Sequence, residues 1–249
     1  MKFKNLHQPY LFRKNDKVHL IVSEILTEKF EFVFGGGKMK EEMWKLRYVD
    51  ENFNITNIET PRYFDYYDEK IYVIAECSGF INGDNISYVI GGHNKEIEGQ
   101  YTFFLVKGKF NFENKSVENF EIISDGVRAA YINNDKIYAF NQYNDNIYLN
   151  GEFLCNTKNM LNSVVRIMGV YDNEDEMIVT GFNDDYESFI LNTKTLEHKK
   201  ILTNNNNNVI YKSSIIGNGN DGLLVYTDKV FTDTENEYYL NYENGYNLQ

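Results

Sequence analysis

Ala130-Tyr-Ile-Asn-Asn-Asp-Lys-Ile-Tyr-Ala-Phe140 is the stretch on which the fold turns. Apolar residues alternate on both sides of a short Asn-Asn-Asp run, the pattern of two antiparallel strands joined by a turn that tolerates positive φ. The same pattern recurs at Tyr10-Leu-Phe-Arg-Lys-Asn-Asp-Lys-Val-His-Leu-Ile-Val22 and at Tyr63-Phe-Asp-Tyr-Tyr-Asp-Glu-Lys-Ile-Tyr-Val-Ile-Ala75. Looser copies stand at Ile167 to Val179 and Ser214 to Tyr226, making five in all.

Taken at the turn exits, Lys17, Lys70, Lys136, Glu176 and Gly222, the copies are spaced by roughly 40 to 65 residues, which suits about four short strands per unit. Outer strands follow each hairpin. They read as Met43 to Val49 with Asn54 to Ile58, Thr102 to Val106 with Phe120 to Ile123, and Ile147 to Leu149 with Glu152 to Leu154. The last two units add Ser188 to Asn192 with His198 to Leu202, and Val230 to Thr232 with Tyr238 to Asn241. No amphipathic helix separates them, so the pattern predicts a single all-β domain over 1–249, a five-bladed β-propeller, with a β-sandwich as the rival. The second unit is longest, and its excess is read as a rim insertion around Phe80 to Gly99, with extra turns at Gly83-Asp84, Gly91-Gly92 and His93-Asn94.

Composition agrees. Tyr (20) and Phe (18) are heavily used and Pro is nearly absent (2), the vocabulary of pleated, half-buried strands. The formal charge of −12 excludes a nucleic-acid backbone as the main partner and disfavours an anionic membrane surface. No run approaches the roughly 20 apolar residues of a membrane helix, and Met1 to Asp16 lacks the apolar core of a secretory leader, so a cytoplasmic or virion location is favoured over secretion. Cys77 and Cys155 stand far apart in no metal or redox spacing and read as buried free thiols. Asn204 to Asn208 reads as a loop tract.

The units resemble the five-bladed propellers of glycoside hydrolase family 43 and related clans. The segments that carry the likeness are Gln8-Pro9-Tyr10-Leu11-Phe12 leading into Asn15-Asp16-Lys17, Pro61-Arg62-Tyr63-Phe64 leading into Asp68-Glu69-Lys70, and Ile86 to His93 followed by Tyr101 to Val106, which resemble paired outer strands. The resemblance implies a carbohydrate ligand and, in its active members, two carboxyl groups flanking the scissile bond. At the position of the family's basic Asp this chain has Gln8, whose amide accepts no proton from water. The tuning Asp falls on Thr60, and the acid Glu-Gly-Pro falls on Asp125-Gly126-Val127. The expectation is therefore a non-catalytic propeller that binds a glycan or a protein partner. An active glycosidase with Asp65, Glu76 and Asp125 as reserve carboxylates is the first alternative, and a structural or assembly protein of a virus particle the second. No cofactor is expected, calcium in the channel being implied by the resemblance only.

Arg62, Arg128, Arg166 and Lys212 stand near the starts of the inner strands of units two to five, so a converging cationic cluster at one mouth of the channel is expected, as an anion or sugar-hydroxyl site. Gln8 and the rings of Tyr10, Tyr63 and Tyr131 belong to the same inner strands, where they stack on a sugar or pack between blades. Glu76, alone after the second hairpin, reads as solvated. His7, His19, His93 and His198 form no metal spacing, and His93, beside Gly91-Gly92, is the one proposed for ligand contact.

Overall fold

The computed structural model describes residues 3–26, 44–94, 102–126, 129–133, 136–141, 144–158, 163–170, 175–182, 186–203, 212–216, 221–231 and 236–249. Nearly all of them are strand. The chain begins with β1 (Phe3–Lys4) and then builds β2 (Leu6–Lys14), β3 (Lys17–Ile25), β4 (Trp44–Val49) and β5 (Ile55–Asn57). A second meander contains β6 (Tyr63–Tyr66), β7 (Glu69–Asn82), β8 (Asn85–His93), β9 (Thr102–Asn111) and β10 (Ser116–Asp125). The third is β11 (Ala129–Asn133), β12 (Lys136–Asn141), β13 (Asn146–Leu149) and β14 (Glu152–Asn156). β15 (Ser163–Val170), β16 (Glu176–Phe182), β17 (Tyr186–Asn192) and β18 (His198–Leu202) make the fourth. β19 (Lys212–Ile216), β20 (Leu223–Phe231) and β21 (Asn236–Asn244) make the fifth, and β22 (Asn247–Leu248) ends the chain.

Local chemistry explains the hairpins. Asn15 and Asp16 take φ of 50° and 62°, and Asn150 and Gly151 take 51° and 85°, so both two-residue turns use the positive-φ pair that matches the twist of the flanking strands. Each hairpin ladder is antiparallel, with β2 on β3, β11 on β12, β15 on β16 and β19 on β20 as the repeat requires. The ends of the chain are used as edges: β1 pairs with β21 and β22 with β18, each covering a backbone row that otherwise stays open.

The meanders do not stay fully separate. β4 meets β7 in a parallel pair at Trp44 and Ala75, which fuses the first two into one sheet and leaves four sheets among the described residues. Side-chain packing, by contrast, falls at five seams. Phe12, Ile21, Leu46 and Tyr48 of the first meander pack on Ile86, Tyr88, Phe104 and Val106 of the second. Cys77, Val89 and Leu105 meet Ala130; Tyr131 and Tyr138 meet Met177, Val179 and Phe189; Ile178 and Ile190 meet Ile215 and Leu224. Leu6, Leu11 and Val22 meet Val225 and Leu240, returning to the first meander. The strands follow the same circuit, β2 lying against β7, β7 against β11, β11 against β15, β15 against β19, and β19 against β2. Ser214 Oγ accepts the Leu11 N–H at 2.9 Å across the last of these contacts.

The second unit departs from the sequence expectation. Phe80 to His93 is no rim insertion: Phe80, Ile81, Ile86, Tyr88, Val89 and Ile90 are buried, and Gly91, Gly92 and His93 lie within β8. Gly92 is required by close approach, because a Cβ there would sit 2.5 Å from Ile71 Cγ2 and 3.2 Å from the Tyr72 carbonyl oxygen. The surplus is β6 instead. β7 runs for 14 residues; its first part pairs with β6 and its last part, around Phe80, reaches the other inner strands. The Tyr63 hairpin therefore forms as expected but lies outside the innermost position.

Candidate functional site

The inner strands meet in aromatic contact. Phe80 stands edge-on to Tyr10 at 4.9 Å and to Tyr131 at 4.6 Å between ring centroids, and the two tyrosine hydroxyls are 3.2 Å apart. Burial first, and then the neighbouring Tyr131 hydroxyl, hold the Tyr10 phenol well above its ordinary pKa. Phe80 of the second meander thus packs against rings of the first and third. Gln8 is also enclosed: it is 1% exposed, with φ of 54°, at the register shift between His7 and Tyr10. The bulge turns this amide into the protein.

Of the four cations expected to converge, Arg62 is the one whose side chain the structure describes. Arg62 is exposed just before β6, away from the inner strands, because β6 is the surplus strand. Arg128 lies outside the described residues, as does the Asn204 to Asn208 tract. For Arg166 and Lys212 the structure describes the strands, β15 and β19, but not the side chains. Tyr63 is 54% exposed and has Lys70 Nζ 3.7 Å from its ring centroid; Tyr72 joins it across the hairpin to His93 in the next strand.

The reserve carboxylates are dispersed. Asp65 is exposed on β6. Asp125 is exposed at the end of β10, where it takes a hydrogen bond from Tyr66; burial first, then that bond, push the Tyr66 phenol up to about 12. Glu76 is not solvated but 3% exposed: one oxygen accepts the Leu46 N–H at 2.9 Å and the other the Thr60 hydroxyl. It braces β4 against β7, since its neighbours supply donors that a buried carboxylate needs. Cys77 and Cys155 are buried thiols outside any disulfide, as read from their spacing.

What sequence reasoning missed is a cleft of about 460 Å³ between the second and third meanders. Its origin lies in strand register. On one face of β7 to β10, the row Cys77, Val89 and Leu105 is apolar and docks on Ala130 and Ile132 of the third meander. Two residues further along, the row becomes Phe80, Ser87, Lys107 and Glu121, and then Asn82, Asn85 and Lys109. The opposite face stays apolar throughout, with Ile86, Tyr88, Val106 and Phe110 in the core, as period-2 alternation demands. The polar end of the face cannot dock, so the sheets gape there, with Ile132 as the far wall.

β10 supplies the last lining group through a bulge. Between Glu118 and Glu121 the register slips, and Asn119 takes φ of 52° and lines the cleft. Gly108 admits this arrangement, since a Cβ there would lie 2.6 Å from Val117 Cγ1 and 2.7 Å from the Glu118 carbonyl oxygen. Lys109 Nζ donates to Asn85 Oδ1 at 2.7 Å, and Lys107 Nζ stands 3.3 Å from Glu121 Oε2. The cleft thus offers amides that both donate and accept, two ammonium groups and a hydroxyl, with Ile132 as its apolar wall. Its one carboxylate among the described residues is Glu121, already ion-paired. The signal in the sequence was the pairing of Asn85-x-Ser87 with Lys107-x-Lys109 at the ends of otherwise apolar strands.

No protein-family model matches the chain, glycoside hydrolase family 43 included, and no curated protein matches it. Solved structures similar to it include a glucose dehydrogenase, at 10% identity over 96% of this chain and 97% of that one, with a TM-score of 0.46. The soluble aldose sugar dehydrogenase of Escherichia coli in its apo form follows at 9% identity over 97% of each chain, TM-score 0.44. An α-L-arabinofuranosidase from Lactobacillus brevis aligns at 12% identity over 94% of this chain and 71% of that one, TM-score 0.32. Likenesses of this depth assign neither a family nor a ligand. No helix among the described residues is long and apolar enough to cross a membrane.

Proposed function

We propose that the chain is a five-bladed β-propeller that binds a glycan without hydrolysing it, in the cleft between its second and third blades. The architecture is supported by the packing: two stacked sheets share one core between them, whereas here apolar clusters fall at five successive seams that return to the start. The ligand class rests on the cleft. Its volume is in the range of small-ligand pockets, and Asn82, Asn85, Ser87 and Asn119 opposite Ile132 match a ring that is hydroxylated at its edge and apolar on its face.

Hydrolysis needs a protonated and an ionised carboxyl on either side of one bond. Glu121 is a single carboxylate held by Lys107, and Glu76 is committed to Leu46 and Thr60. The test is a glycan array followed by titration calorimetry, with sugar release measured in parallel. The expected result is saturable binding without turnover, weakened about tenfold by Asn119→Ala through loss of a ligand hydrogen bond. Silence across the whole array overturns the reading, and sugar release abolished by Glu121→Gln replaces it with an enzyme.

A further inference from the structure

We infer that the glycan taken by this cleft is an acidic one, its anionic group paired with Lys109. The inference rests on the glycan-binding reading above and names the chemical class of the ligand. The chain carries 37 acidic against 25 basic residues, so a lysine has carboxylates in excess to pair with. Lys107 does so, with Glu121. Lys109 does not.

The strand register puts Glu118 directly across from Lys109, yet Glu118 Oε1 accepts a hydrogen bond from Asn111 Nδ2 at 2.9 Å, and Lys109 Nζ turns to the Asn85 side-chain oxygen. Among the described residues no carboxylate oxygen lies within ion-pair distance of Lys109. An ammonium group has three donors, and Asn85, a neutral acceptor, uses one of them while fixing the group at the cleft wall. A positive charge so held, beside amides from Asn82 and Asn119, suits a sugar that carries a carboxylate or sulfate among its hydroxyls. The rest of the molecule repels such a ligand at long range, but that repulsion is screened beyond about 8 Å at physiological ionic strength, while the direct contact is not.

The test is titration calorimetry of the full chain with three probes: a short oligogalacturonate, its neutral methyl ester, and a sulfated galactan oligosaccharide. Binding of one or both acidic probes about tenfold tighter than the ester is expected, and which of the two binds identifies the anion. Lys109→Met should remove the preference and Lys109→Arg should keep it, with melting temperatures showing that both variants are folded. Equal affinity for acid and ester, or an undiminished preference in Lys109→Met, overturns the inference while leaving glycan binding intact. Failure of every glycan, neutral and acidic, overturns the functional reading itself and this inference with it.

Discussion

Replacing Gly108 by Ala sets two effects of opposite sign against each other. The backbone at Gly108 is outside the left-handed region, so on local grounds a Cβ should help, by about 0.5–1 kcal/mol, because glycine loses more conformational freedom on folding than alanine. Packing opposes this. The new Cβ would meet Val117 Cγ1 at 2.6 Å and the Glu118 carbonyl oxygen at 2.7 Å. A valine rotamer is stiff and a carbonyl oxygen is backbone, so neither contact is relieved by a side-chain swing, and β9 and β10 must part by several tenths of an ångström. Overpacking of this kind costs about 1–3 kcal/mol, which exceeds the local gain. A net loss of about 1 kcal/mol lowers Tm by about 2–4 °C in a chain of this length. Thermal melts and urea titrations of the two proteins measure it, and the midpoint should fall at unchanged slope. Because the Asn119 bulge depends on the same approach, glycan affinity should fall together with stability. A Gly108→Ala protein as stable as the parent, or more so, refutes the argument.

Glu76→Ala should cost about 1–3 kcal/mol in urea unfolding, because the buried Leu46 N–H and Thr60 hydroxyl lose their acceptor, while glycan affinity in the folded protein stays at the parent value. Tyr10→Phe and Tyr131→Phe should each cost about 1 kcal/mol, and the double variant less than their sum, because each hydroxyl is the other's partner; a double-mutant cycle reads this directly. The pH dependence follows from the same burial. Burial first, then Tyr131 beside Tyr10 and Glu76 beside Tyr88, raise both phenols well above the ordinary value of 10.0. The folded protein therefore keeps protons that the unfolded chain releases, so this contribution is fully present below pH 10 and is lost as pH rises towards the folded values. Urea midpoints should fall steadily above pH 10, and less steeply in Tyr88→Phe.

The hairpins were legible because their causes are local. A positive-φ pair such as Asn15-Asp16 and a period-2 alternation are both read within a dozen residues, and the strands of all five expected hairpins pair, with the outer pairs of the first four units. Val230 and Phe231 of the fifth are the end of β20 and not a separate outer strand. The same local pattern misplaced Tyr63 and Arg62. Their hairpin has the alternation of an inner hairpin, and nothing within it reveals that β7 continues far enough for Phe80, not Tyr63, to meet Tyr10 and Tyr131. Glu76 reads as solvated for a related reason: its donors, Leu46 and Thr60, lie 30 and 16 residues away in the chain.

The cleft needed tertiary information at every step. That Asn85, Lys109 and Asn119 share a wall follows from the register of β8 on β9 and from a bulge in β10, and that the wall faces Ile132 follows from how the second and third meanders dock. By itself the amino-acid order determined an all-β chain of repeated antiparallel hairpins, its acidic character, and the exclusion of Gln8 from proton transfer. Turn geometry and side-chain alternation are short-range properties of the backbone, so they survive without knowledge of the rest. Only the folded molecule decided which strand is innermost, which carboxylate is buried and which lysine lacks a counter-charge among the described residues, because those depend on contacts between residues that sequence distance does not order.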